Sequence, residues 1–75
     1  MNANYKNIIT INSEIRGGRP CIRGMRITVY DILNYLGSGM SKQDVISDYP
    51  ELTINDIEAA LMFVADKEDK TRYVN

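Results

Sequence analysis

Arg16, Arg19, Arg23 and Arg26 crowd the front of this chain, and Arg72 stands near its far end. A guanidinium presents a planar fork of donors that fits phosphate or carboxylate in bidentate fashion. The chemistry on offer is therefore recognition of an anion, either a nucleic-acid backbone or a carboxylate-rich protein surface. Catalysis has little to work with. The chain has no histidine, so general acid–base or nucleophilic schemes reduce to carboxylates and the lone Cys21. Cys21 sits among Arg19, Arg23 and Arg26, an electropositive setting that favours a thiolate. The competing role, a small and partly buried spacer in a turn, is the favoured one. Gly17-Gly18-Arg19-Pro20-Cys21-Ile22-Arg23-Gly24 lacks the lysine–hydroxyl ending of a P-loop and the glycine spacing of a dinucleotide fingerprint. It reads as a structural turn. A binding protein without enzymatic activity is expected, with no cofactor and no metal.

The elements that must position these arginines are marked unevenly. Asp31, Asp44 and Asp56 resemble a carboxylate set for a metal, yet each belongs to the same local pattern of apolar, Ser or Thr, two residues, Asp, apolar. The pattern occurs at Ile27-Thr28-x-x-Asp31-Ile32, Met40-Ser41-x-x-Asp44-Val45 and Leu52-Thr53-x-x-Asp56-Ile57. The hydroxyl suits an N-cap, the carboxylate answers from the third helical residue, and the flanking apolar pair forms a hydrophobic staple. Three helix starts are thereby predicted. Gly37 and Gly39 stop the first helix and Pro50 the second, giving helices near 29–37, 42–48 and 54–69. Val29, Ile32, Leu33 and Leu36 form one core stripe, and Ile54, Ile57, Leu61 and Val64 another. Ala60, Met62 and Phe63 lie off the second stripe, so the last helix is apolar nearly all round. Met62 and Phe63 are expected at an oligomer or partner interface, with a strand from the front as the competing cover.

Before the helices, Ile8-Ile9-Thr10-Ile11 reads as a short strand, and Arg23-Gly24 as the turn of a tight hairpin, or a bulged turn, between Cys21-Ile22 and Met25-Arg26-Ile27, with Gly24 at positive φ. The fold class is mainly α, a three-helix core of helix-turn-helix type with a short N-terminal β-strand and turn segment. The 75 residues form one domain, with residues 8–27 as the β/turn segment, 28–69 as the core and 70–75 as a flexible tail. A second core does not fit, because a chain this short buries only about 60% of its unfolded surface. The longest apolar run, Ala59 to Ala65, is too short to cross a membrane, which needs about 20 residues. A single cysteine and the lack of a basic, then apolar, N-terminal stretch point to the cytoplasm.

A net charge of −1 conceals a strong segregation. From Lys6 to Arg26 five bases face one acid, from Ile27 to Asp69 nine acids face two bases, and Lys70 and Arg72 return two positive charges at the end. The basic front suits an anionic partner or the acidic body of a second copy, with a mixed, solvated surface as the competing reading. The connection of the second and third helices through Tyr49 to Leu52 has helix-turn-helix spacing. Its charge is wrong for DNA, since Asp56 and Glu58 accompany Asn55 where a recognition helix presents bases or amides.

The ordered series Gly18-x-Pro20-x-Ile22-x-Gly24-x-Arg26-Ile27, then Tyr49-Pro50-x-Leu52-Thr53, then Ile57-x-x-Ala60-Leu61 resembles the small bacterial family catalogued as domain of unknown function 433, over residues 8 to 68. That family usually carries threonine where this chain has Met25. The resemblance implies a homeodomain-like helical fold and a role as the antitoxin of a toxin–antitoxin pair. Its implied partner is a small PIN-like ribonuclease toxin, neutralised by occluding the nuclease site, with binding of the antitoxin's own operator DNA as a dimer or as the complex. Arg16, Arg19, Arg23 and Arg26 suit the acidic, metal-binding centre of such a nuclease, and Arg72-Tyr73 a terminal segment that reaches out. The alternative is a stand-alone DNA-binding transcriptional regulator. A homodimer is expected in either case.

Overall fold

Each of the three marked helix starts closes as a capping box. Thr28 accepts from the Asp31 N–H and the Asp31 carboxylate from the Thr28 N–H, at 2.9 and 3.0 Å. Ser41 and Asp44 repeat the exchange at 3.0 and 2.9 Å, and Thr53 and Asp56 at 3.1 and 2.9 Å. The boxes satisfy backbone N–H groups that no helical carbonyl can reach. They open α1 (Val29–Gly37), α2 (Lys42–Asp48) and α3 (Ile54–Lys70) in the computed structural model, which describes residues 5–70. The helix boundaries therefore match the sequence expectation to within a residue.

The stop of α1 is more specific than expected. Gly37 is its last helical residue, and Gly39 alone takes the left-handed conformation, at φ 106°. The Gly39 N–H donates to Leu36 O (3.0 Å) and the Met40 N–H to Tyr35 O (3.2 Å), the bond pair of a Schellman motif. In α2 the Tyr49 N–H still reaches Val45 O (2.8 Å) before Pro50 ends the helical path. Across the α1–α2 corner the rings of Tyr35 and Tyr49 stack at 4.8 Å and 11°. The neighbouring Tyr49 hydroxyl, with burial, pushes the Tyr35 phenol up to about 12.

The front contributes a two-stranded antiparallel sheet, β1 (Ile9–Thr10) with β2 (Cys21–Ile22), in the register Ile9–Ile22 and Thr10–Cys21. Here the structure departs from the expected hairpin. The turn at Arg23-Gly24 is present, with both residues left-handed at φ 46° and 75°. The far side of that turn is reduced to the Ile22 N–H on Ile27 O (2.9 Å) and a single bridge from Cys21 to Thr28. Thr28 must cap α1, so the extended path cannot continue, and β2 takes β1 as its ladder partner instead.

Ile9 and Ile22 from the sheet join Val29, Ile32, Val45, Leu52, Ile57, Ala59 and Ala60 in one buried cluster. Leu33, Leu36, Leu61 and Val64 pack against it half-buried. The outer side of α3 is partly covered by the chain's own front: the Tyr5–Asn7 3-10 turn sets the Tyr5 ring edge-on to Phe63 at 5.7 Å and 90°, and the Tyr5 hydroxyl donates to Asp66. Among the described residues no helix is long and apolar enough to cross a membrane. Ile57 is fully buried where α3 meets the other elements, so Ile57→Ala should cost about 2–5 kcal/mol. A domain this size has little stability to lose. Urea unfolding followed by circular dichroism should show a markedly lower midpoint, or a chain already unfolded in buffer.

Candidate functional site

The arginines fall into two classes once their backbones are considered. Arg16 and Arg23 are the non-glycine residues with positive φ among those described, at 50° and 46°. Each is followed by a left-handed glycine, Gly17 at 68° and Gly24 at 75°. Left-handed backbone is unfavourable for a residue with a Cβ and persists where other contacts hold it. The holding contact is the same in both places, a guanidinium on the capping aspartate of a helix.

Arg16 Nη1 reaches Asp31 Oδ2 at 3.0 Å and the carbonyl of Arg26 at 2.7 Å. Arg23 grips Asp56 with both ends of its fork, Nε to Oδ1 at 3.1 Å and Nη2 to Oδ2 at 2.9 Å, while Nη2 also donates to Glu51 O at 2.8 Å. Asp56 is 2% exposed. A carboxylate this deep is tolerated because each oxygen has a charged or backbone donor. The third capping aspartate, Asp44, is exposed and holds its box without an arginine.

Electrostatics follow the geometry. Burial alone would push the Asp56 carboxyl up, but the Arg23 hydrogen bonds and the Thr53 N–H outweigh it and hold Asp56 below the ordinary carboxylate range. Asp31 is likewise opposed by burial and is lowered by the Thr28 N–H and Arg16. Asp44 is lowered by the Ser41 backbone and hydroxyl, and the Arg23 guanidinium is raised in turn by its contact with Asp56.

Arg19 and Arg26 remain. Both are exposed, and neither side chain pairs with a carboxylate among the described residues. Of the four front arginines expected to meet a partner, Arg16 and Arg23 are thus engaged inside the fold and Arg19 and Arg26 face solvent. Arg72 and Tyr73 lie outside the described residues. Phe63 is taken up by Tyr5 on one side and by the Lys67 ammonium 5.6 Å from its ring centre, which leaves half-buried Met62 as the interface candidate on α3. Cys21 is 2% exposed, and its thiol donates to the Arg19 carbonyl at 3.3 Å, the geometry of a packed spacer. Among the described residues, no three His, Cys, Asp or Glu side chains are grouped to hold a metal.

The clamps themselves escaped sequence reading, although two signals pointed to them. Arg-Gly occurs twice in the front, and each capping box uses aspartate where glutamate is usual. The shorter side chain keeps the carboxylate beside the cap, where it serves the cap N–H and an incoming guanidinium together.

The sequence matches the family described as "Protein of unknown function (DUF433)" over residues 9–64. This chain belongs to the DUF433 family. The DUF433 match runs from β1 into α3 and contains all four clamp residues, whereas the Tyr5–Asp66 contact lies outside it. The fold is similar to that of a DUF433 member from Anabaena variabilis solved by crystallography, with a TM-score of 0.79 and 29% identity over 87% of this chain and 64% of that one. A curated relative, "Uncharacterized protein y4eO" of Sinorhizobium fredii, is 31% identical over 58 residues, or 77% of this chain. The chain spans about a quarter (26%) of the length of that relative.

Carboxyls held low in the folded state add stability that is complete above their ordinary value near 4 and is lost as pH falls through the lower folded values. Wild-type urea midpoints should therefore be flat from pH 7 to about 5 and fall steeply below about 4. Asp56→Asn should unfold at lower urea at neutral pH, by about 2 kcal/mol, because hydrogen bonds to a charged group are lost. It should also show a shallower acid limb, and an unchanged limb would remove Asp56 from the account.

Proposed function

We propose that this DUF433 chain is a cytoplasmic, non-enzymatic protein-binding domain that acts as an antitoxin, neutralising a PIN-like ribonuclease by laying uncommitted arginines against its acidic metal-binding centre. The division of labour among the front arginines carries the reading. Arg16 and Arg23 are consumed in building the fold, while Arg19 and Arg26 stay exposed on the same segment without an internal carboxylate. Exposed arginines held by a rigid scaffold are well suited to a carboxylate-rich partner. A homodimer through the Met62 side of α3 belongs to the same reading, since a domain this small gains from a second chain.

Stand-alone DNA binding is the second reading, favoured by the short connection from Tyr49 to Thr53 between α2 and α3. The surface of that unit argues against it. At the start of α3 Asp56 is buried under Arg23, Glu58 is exposed, and Lys42 from α2 sits 3.5 Å from Glu58. Little positive charge is left there for phosphate.

The test is co-expression with a PIN-like ribonuclease, followed by an assay of RNA cleavage with increasing amounts of this protein. Stoichiometric suppression is expected, and Arg19→Ala with Arg26→Ala should weaken the complex by about tenfold or more, equivalent to about 1.4 kcal/mol. Arg23→Ala is unsuitable because its loss exposes Asp56 to an unpaired state. Undiminished cleavage at excess protein would remove the antitoxin reading. Tight duplex binding with a steep salt dependence would instead favour the DNA-binding one.

A further inference from the structure

Ile11 and Tyr30 are the exposed large hydrophobics among the described residues, at 66% and 42%. They are distant in sequence, yet the backbone brings both to one place. The pairing of Thr10 with Cys21 sets Ile11 beside Pro20. From the other direction, the Cys21–Thr28 bridge and the Val29 N–H on Pro20 O (2.9 Å) deliver Tyr30, the next residue of α1. Arg19 adjoins Pro20, and Arg26 is fixed nearby through its carbonyl on Arg16, whose same nitrogen holds Asp31, the neighbour of Tyr30. With Arg16 and Asp31 paired, Arg19 and Arg26 are opposed on this segment by Glu14 alone.

We infer that this surface, with Ile11 and Tyr30 as apolar anchors and Arg19 and Arg26 as cationic flanks, docks an acidic, apolar-bearing segment of another protein. The inference rests on the reading of the chain as a protein-binding domain and adds the place and the partner chemistry. Tyrosine and arginine are the residues that carry binding energy at protein interfaces, and an exposed isoleucine beside them gains only if a partner covers it. Charge selects the occupant: the patch attracts carboxylates. A nucleic acid fits less well. Tyr30 offers a single aromatic face for a base and Ile11 none, and a polyanion extending beyond the patch meets exposed Asp44, Asp48, Glu51 and Glu58 on the body of the domain.

The probe is a phage-displayed library of random peptides of about 12 residues, long enough to cover such a patch in extended form, selected on the immobilised full chain. Enriched peptides should carry at least a pair of Asp or Glu residues and a large apolar residue. A synthesised winner should bind wild type and lose about tenfold or more in affinity to Tyr30→Ala, and to Arg19→Glu with Arg26→Glu. These side chains are exposed and outside the clamps, so thermal melts of the variants should match wild type. Absence of enrichment, winners without acidic residues, or winners that bind the variants equally well would each overturn the inference. A short DNA duplex that binds wild type more tightly than any selected peptide and fails on the same variants would overturn it in favour of nucleic acid. The nuclease separates this inference from the antitoxin reading. Equal capture by wild type and Tyr30→Ala keeps the antitoxin reading and rejects the surface, whereas peptides behaving as stated beside an unsuppressed nuclease reject the antitoxin reading alone.

Discussion

The front of this domain has almost no regular structure with which to hold itself: two strands of two residues each and short turns. Beyond the burial of Ile9 and Ile22 and the Tyr5 contacts, what fixes it to the helices is a guanidinium on a capping aspartate, used twice. Each aspartate is committed to its helix through the cap N–H, so an arginine that binds it binds a point already rigid. Arg23 and Asp56 tie the β2 turn to the start of α3, and Arg16 and Asp31 tie the preceding turn to the start of α1. The left-handed backbone at both arginines becomes intelligible on this basis. The turn must point a long side chain back across the domain, and the contact with the carboxylate, bidentate at Arg23, offsets the unfavourable φ.

The charge segregation then has a structural meaning. Basic front and acidic body are joined through these contacts, which cancel Arg16 against Asp31 and Arg23 against Asp56. The charge that is not cancelled stays at the surface. Arg19 and Arg26 remain on the front, and Asp44, Asp48, Glu51 and Glu58 are exposed on the body. The domain therefore carries regions of opposite sign, held in fixed relation by the ion pairs between them.

Legibility in the sequence followed locality. The capping boxes are written within six residues each, so the helix starts could be placed from hydroxyl, carboxylate and staple alone, and the stripes of α1 and α3 followed from periodicity. The pairing of β2 with β1 was not readable, because the short runs at Ile9 and Cys21 leave the choice of partner to tertiary packing. The segment that packs on Phe63 was not readable for the same reason, since nothing near it in sequence announces Tyr5. The site was half legible. Arginine clustering drew attention to the front segment, but which arginines pair within the fold and which do not depends on contacts with residues 15 and 33 positions away. Ile11 and Tyr30 came together only through two backbone pairings that meet at Pro20 and Cys21.

The claim on which the rest depends is that Arg23 and Asp56 act as one unit, and a double-mutant cycle of Arg23→Ala and Asp56→Ala, read by urea unfolding at pH 7 and again at high salt, tests it most directly. The account predicts strong coupling: either single variant leaves a charged or polar group unpaired, so the double variant is less destabilised than the sum of the singles. It also predicts that the coupling survives salt, because Asp56 is buried. Additive effects, or coupling abolished by salt, would reduce the pair to an ordinary surface contact and leave the front of the domain without its anchor.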